Sequence, residues 1–229
     1  MQSVLVPSEE LYTDGEAAYP TGCLSIFLWP PFATVLFGVI LFAALTQIRF
    51  PQTQGLSLPS AERTKLAAFF TPQVQRWQSE ILAWAAAENL DPNLAATVMQ
   101  IESCGNPFAT SPAGAMGLFQ VMPYHFADGE DSYLPDTNAL RGLGYLKQSL
   151  EKFGADPGLA LAGYNGGING AGRPPDQWAQ ETRDYKYWGE NIYADALAGN
   201  AESPTLEEWL AAGGASLCAQ AEQRAAGLP

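Results

Sequence analysis

The chain has 229 residues, 47% of them apolar and 15% charged, enough for one sizeable core plus extensions and too apolar for a disordered chain. A formal net charge of −13 argues against nucleic-acid binding, because a phosphate backbone would be repelled. His125 is the single histidine, and the three cysteines (Cys23, Cys104 and Cys218) form no C-x-x-C pair, so a zinc site or a Cys/His or Ser/His nucleophilic pair is not expected. No metal and no cofactor is implied.

Residues 1–22 carry Glu9, Glu10, Asp14 and Glu16 with no basic residue, and read as an acidic disordered tail. Residues 23–50 hold the apolar run Cys23–Ile48, whose 26 residues would span about 39 Å as a straight helix against a hydrocarbon core of about 30 Å. This is the expected transmembrane or signal-anchor helix, interrupted or begun at Pro30-Pro31. A cleaved signal peptide competes with it, but no basic region precedes the run. Arg49, Arg63 and Lys65 follow it, a weak positive-inside bias that would leave the remainder cytoplasmic. Residues 51–71, with Pro51, Gly55 and Pro59, read as a linker, and 72–229 as the folded domain.

Thr71-Pro72 is a cap-plus-proline start for a helix running to about Asn89, with Val74, Trp77, Ile81, Leu82 and Trp84 as its core stripe. Asp91-Pro92 repeats the signal. Leu94, Ala95, Val98 and Ile101 then recur at helical spacing, and Glu102 falls at the edge of the same apolar face. A carboxyl there loses hydration, which favours its neutral form and suits it to act as a general acid. The loop that follows is stiffened by Pro107, Pro112 and Pro123, while Gly105, Gly114 and Gly117 allow backbone to approach a ligand. Gln120 stands in a mostly apolar turn, where its amide needs partners.

Tyr124–Pro135 reads as a solvated acidic loop without EF-hand spacing. Asn138–Phe153 is a helix with Leu140, Leu143, Leu146 and Leu150 facing inward. Asp156-Pro157 starts another, which reaches Tyr164-Asn165 and stops at the glycines from Gly166. Trp178, Tyr185, Tyr187, Trp188 and Tyr193 crowd residues 173–195, where most should pack the core and some could meet sugar rings. A final helix is expected from Thr205 to about Ala221. No stretch has a strong strand pattern, so the domain should be all-α around the helix that carries Glu102.

Three blocks carry a resemblance. Glu102-Ser103, Asn106-Pro107, Ala109, Ser111, Gly114-Ala115-Met116-Gly117-Leu118, Gln120 and Met122-Pro123 resemble the catalytic motif of the soluble lytic transglycosylase (SLT) domain. Ala162-Gly163-Tyr164-Asn165-Gly166-Gly167 and Glu181-Thr182-Arg183-Asp184-Tyr185 resemble two further blocks of that family, in the right order. The resemblance covers about residues 73 to 195. Cys104, Gly163 and Phe119 depart from the pattern without removing a polar group.

The resemblance implies a lysozyme-like, goose-type helical fold and a lytic transglycosylase, a lyase of peptidoglycan. Glu102 would be its catalytic residue, with Ser103, Ser111, Met116, Gly117, Gln120, Tyr164, Asn165 and Tyr185 around the substrate. The partner implied is the peptidoglycan glycan strand, with the membrane met through the N-terminal helix and the domain outside the cytoplasm, against the charge bias. A partner within an envelope complex is conceivable but unidentified. A goose-type hydrolase and an inactive glycan-binding protein are the competing readings. Cys104 and Cys218 would share this domain, either as a disulfide or as two buried thiols.

Overall fold

A computed structural model of the chain describes residues 65–226. The acidic tail 1–22, the expected transmembrane segment 23–50 and most of the linker 51–71 lie outside the described residues. Among the described residues, no helix is long and apolar enough to cross a membrane.

The described part is helical as expected, with nothing more strand-like than two isolated bridges, Thr110 to Met116 and Met116 to Val121. Its helices are α1 (Pro72–Gln75), α2 (Gln78–Glu88), α3 (Pro92–Glu102), α4 (Pro135–Lys152), α5 (Pro157–Gly166), α6 (Ile168–Ala171), α7 (Gln180–Ala198), α8 (Pro204–Trp209) and α9 (Ala215–Ala226). The central one is α3. All nine residues from Pro92 to Gln100 are buried, and α1, α2 and α7 pack around it. Its start is the expected one: the Asp91 carboxylate accepts from Asn93 N at 2.8 Å, with Pro92 in the first turn. Asp156 likewise accepts from Leu159 N at 2.8 Å to begin α5, which lies between α4 and α7.

Four expectations need correction. The folded domain starts before residue 72: Leu66 and Phe70, read as linker, are buried, and Ala67 N donates to Asn93 Oδ1 at 2.8 Å. The helix expected from Thr71 to Asn89 breaks between α1 and α2. Thr71 does not cap it with its side chain but turns its hydroxyl to Gln100 Oε1 at 3.0 Å. At the break, Trp77 Nε1 donates to Gly105 O at 2.9 Å, a tertiary bond that offsets the lost helical continuity.

Leu140 does not face inward. It is 53% exposed, because the buried stripe of α4 runs through Ala139, Leu143 and Leu146 instead. Finally, the helix expected from Thr205 to Ala221 is two helices joined by a π-helical turn, Leu210–Gly214, with Gly213 at φ +134°. A Cβ on Gly214 would come within 2.4 Å of the Trp209 ring, so the Gly-Gly pair is what lets α9 turn back over Trp209.

Two covalent and ionic ties fix α9. Cys218 is buried and disulfide-bonded to Cys104 across 114 residues. Glu222 pairs with Arg76 at 2.6 Å. The C-terminal helix is thereby held against the loop that follows Glu102.

Candidate active site

Glu102 is the last residue of α3 and half-buried, where the helix emerges from the core into a groove of about 690 Å³. Asn106, Phe108, Ser111 and Gln120 line that groove, and Glu102 is the one carboxylate among its described lining residues. Burial pushes its pKa up to about 8; a hydrogen-bonding interaction with Tyr185 opposes the rise, and Glu181 adds a smaller upward push. The acid that acts on Glu102 is therefore Glu181 of α7, not Asp128, the next acid in sequence. Glu181 does not line the groove.

Tyr185 is 5% exposed and its hydroxyl has no partner of full hydrogen-bond geometry. The polar group that acts on it is the Glu102 carboxyl, an imperfectly aligned contact that can still stabilise a carboxylate. Tyr164 stacks on Tyr185 with ring centroids 6.5 Å apart, and its hydroxyl donates to Phe119 O at 2.6 Å. Burial and the nearby Glu102 hold both phenols well above their ordinary pKa, so they stay protonated donors.

The loop from Ser103 to Met122 is built to hold this groove open. Ser103 is fully buried; its hydroxyl donates to Leu118 O at 2.7 Å and accepts from Gly105 N at 3.1 Å. Its work is thus on the loop, out of reach of a substrate. Ser111 lines the groove, and its Oγ accepts from Ala115 N at 3.0 Å. Met116 contributes backbone: it exchanges both bonds with Val121, at 3.0 and 2.9 Å.

Gly117 lies at φ +76°, with its N–H donating to Ala109 O at 2.8 Å. A Cβ there would sit 2.4 Å from Asn138 Nδ2, so the position needs glycine on two counts. Gln120 takes φ +45°, an uncommon value for a side chain with a Cβ. Its Nε2 donates to Gly117 O at 2.9 Å and Ala109 O at 3.2 Å, which answers its need for partners and leaves Oε1 as the acceptor toward the groove.

On the far side of Gln120 lies a smaller cleft of about 100 Å³, lined by His125, Tyr145, Tyr164 and Asn165. Thr182 Oγ1 donates to Asn165 Oδ1 at 2.8 Å, which directs the amide NH₂ to be the free donor. His125 packs on Tyr145 with centroids 4.6 Å apart, and burial lowers its pKa.

Several of these residues escape a reading of the sequence. Asn138, Tyr145 and Thr182 act through partners distant in the chain, although Thr182 stands inside a quoted block. The α9 residues Leu217, Gln220, Gln223 and Arg224 also line the main groove, in a segment read only as a final helix. The aromatics of 173–195 mostly pack, as expected: Trp178, Tyr185 and Tyr193 are buried, while Tyr187 is exposed and donates to Glu208 at 3.0 Å.

A helical domain with one half-buried carboxyl over a polar groove defines a class, and comparison with known proteins shows which proteins it is similar to. Residues 79–188 match the family model of the Transglycosylase SLT domain. A protein named Transglycosylase, from Enterobacteria phage PRD1, is 40% identical over 112 residues, covering 48% of this chain and 40% of the phage protein. A crystal structure of an inactive mutant of the lytic transglycosylase Slt from Pseudomonas aeruginosa aligns at 20% identity and a TM-score of 0.44, over 76% of this chain and 30% of that one. The chain thus spans less than half the length of either protein.

Proposed function

We propose that the protein is a peptidoglycan lytic transglycosylase that cleaves the β-1,4 bond between N-acetylmuramic acid and N-acetylglucosamine. The observation that carries this reading is Glu102, a carboxyl with a pKa near 8 at a groove whose described lining holds no second acid. Glycosidases that act through water or a protein nucleophile ordinarily use two carboxylates. One carboxyl suffices where the substrate supplies its own nucleophile.

In this mechanism neutral Glu102 protonates the glycosidic oxygen as the C1–O bond breaks. The neighbouring acetamido oxygen stabilises C1. The muramoyl 6-hydroxyl then attacks C1, its proton passing to the Glu102 carboxylate, which restores the acid and leaves a 1,6-anhydro end. Protonation comes easily, since a carboxyl with that pKa is mostly neutral at pH 7. Tyr185 supports the carboxylate that forms between the two steps. Ser111, Gln120 and Asn165 bind the sugars, with the Gln120 oxygen and the Asn165 amide as their acceptor and donor.

Such glycan lies outside the cytoplasmic membrane, so the domain acts there. The Cys104–Cys218 disulfide fits that location, because disulfides persist in oxidising compartments. Mass spectrometry of digested peptidoglycan tests the proposal. Anhydro ends that vanish in Glu102→Gln support it, whereas reducing ends would assign the site to a hydrolase and binding without cleavage to a recognition protein.

A further inference from the structure

The main groove does not end at the SLT segment. Its second wall is α9, which lies beyond residue 188 and is pinned through Cys218 to the loop after Glu102. Leu217, Gln220 and Arg224 recur at three- and four-residue spacing, so they form one stripe along the helix. The same helix buries Cys218 and Ala221. Arg224 is the one cation among the described residues lining the groove. Among the described residues it makes no ion pair, while Arg76, Arg141, Lys147 and Lys186 each have a carboxylate partner.

Arg224 also lines a second cavity, of about 400 Å³, whose surface is mainly apolar and includes Trp77, Pro107, Tyr133 and Ala221, with Glu80 and the Glu222-paired Arg76 as its other charged side chains. Phe108, 45% exposed, borders both spaces. A guanidinium and an exposed aromatic ring therefore stand where a polar groove meets an apolar pocket. A bare glycan would use the groove alone. A glycan carrying a short peptide with methyl side chains and free carboxylates would use both spaces, and Arg224 suits the carboxylate by a charge-assisted, two-pronged hydrogen bond.

We propose that this junction binds the peptide branch of the muramoyl sugar, with Arg224 taking a carboxylate of the branch and the cavity behind Phe108 taking its apolar part. The proposal rests on the glycan reading above. It makes α9 a specificity wall that distinguishes peptide-bearing strands from bare ones.

The test is calorimetric binding to the full chain carrying Glu102→Gln, which removes turnover. The ligands are the N-acetylglucosamine–N-acetylmuramic acid disaccharide with its tetrapeptide, and the same disaccharide without peptide. The peptide-bearing ligand should bind about tenfold tighter, and adding Arg224→Gln should bring that ratio close to one. Arg224→Lys, which keeps the charge but not the fork, should give an intermediate ratio. Equal affinity for the two ligands in the parent, equal weakening of both by Arg224→Gln, or binding of neither would overturn the proposal. The two readings separate cleanly. A tenfold ratio without anhydro products from the wild-type enzyme leaves the junction standing and removes the chemistry; anhydro products with a ratio of one do the reverse.

Discussion

The Thr182 hydroxyl donates to Asn165 Oδ1 at 2.8 Å, so a residue of α7 decides which end of an α5 amide is left for a ligand. The pair is tightly seated. A Cβ on Gly166 would come within 2.7 Å of Thr182 Oγ1, so glycine is what lets the threonine approach this closely. Thr182→Val keeps the shape and removes the donor. It should lower kcat/KM on peptidoglycan by about tenfold, the loss of roughly 1.4 kcal/mol of binding and positioning, while Thr182→Ser retains most activity. A Thr182→Val enzyme with wild-type kcat/KM would show that Asn165 needs no such orientation.

A general acid with a pKa near 8 gives the rate profile a specific shape. Activity should fall as pH rises through about 8, because the acid is then lost. Tyr185 stabilises the carboxylate, so Tyr185→Phe should move this limb to higher pH while reducing the maximum rate. A limb that stays in place, or moves down, would separate Tyr185 from the Glu102 equilibrium.

The same shift links stability to pH. Folding raises the Glu102 pKa from an ordinary 4.5 to about 8, so the folded state binds the proton more tightly than the unfolded one. Its contribution to stability is complete below about pH 4.5 and is lost as pH rises toward 8. Glu102→Gln removes that dependence. At pH 9 the variant should be the more stable protein, by about 3 kcal/mol once water access to the groove is allowed for. Urea unfolding of both proteins at pH 5 and pH 9 measures it.

The position of Glu102 was legible in sequence because two local signals agreed: a capped proline start at Asp91-Pro92, and an apolar period that runs into a carboxyl. Gln120 was legible as an amide needing partners, though not which ones. Leu140 misled because leucines at three- to four-residue spacing fit more than one stripe, and only packing against α2 and α5 selects the one through Ala139, Leu143 and Leu146. Residues 66–71 misled because Leu66 to Phe70 is an apolar run too short to show a helical or strand period, and only its packing marks Leu66 and Phe70 as core. The bend at Gly213-Gly214 has its sequence signal in the glycine pair, since Gly213 takes a backbone conformation that other residues avoid. Asn138, Thr182 and Arg224 could not be found from the chain alone, since their roles exist only where the fold brings other elements beside them.

The disulfide closes a loop of 114 residues, and chain-entropy arguments put such a link at roughly 4–5 kcal/mol. Cys104→Ala with Cys218→Ala should therefore lower the melting temperature by on the order of 10 °C, and a reductant should do the same to the wild-type protein. The buried Gln100 amide also contacts both sulfurs, at 3.2 and 3.6 Å, so the double variant exposes a further cost there. Because Cys218 anchors the wall that carries Arg224, the loss of activity should exceed the loss attributable to unfolded protein. Comparing specific activity with the folded fraction by circular dichroism checks this.

Asn138 joins α4 to the loop more completely than any one helical contact could. Its Nδ2 donates to Met116 O at 2.7 Å and Ser132 O at 2.9 Å, and its Oδ1 accepts from Phe119 N at 2.8 Å. Asn138 is 1% exposed and Phe119 is fully buried, so the Phe119 N–H has no ready access to water when the amide is cut away. Asn138→Ala should destabilise the domain by about 2 kcal/mol, the cost of leaving the Phe119 N–H and the Ser132 carbonyl without their partner, while Met116 O keeps its bond from Val121 N. Asn138→Asp keeps the acceptor for Phe119 N but loses both donors, and it buries a charge against two carbonyl oxygens. It should be at least as damaging as alanine near neutral pH and partly recover in acid, where the carboxyl is protonated and can donate one bond. Denaturant midpoints for the two variants at pH 4.5 and pH 7.5 would show the crossing if the amide acts as a donor, and parallel behaviour if it merely fills space.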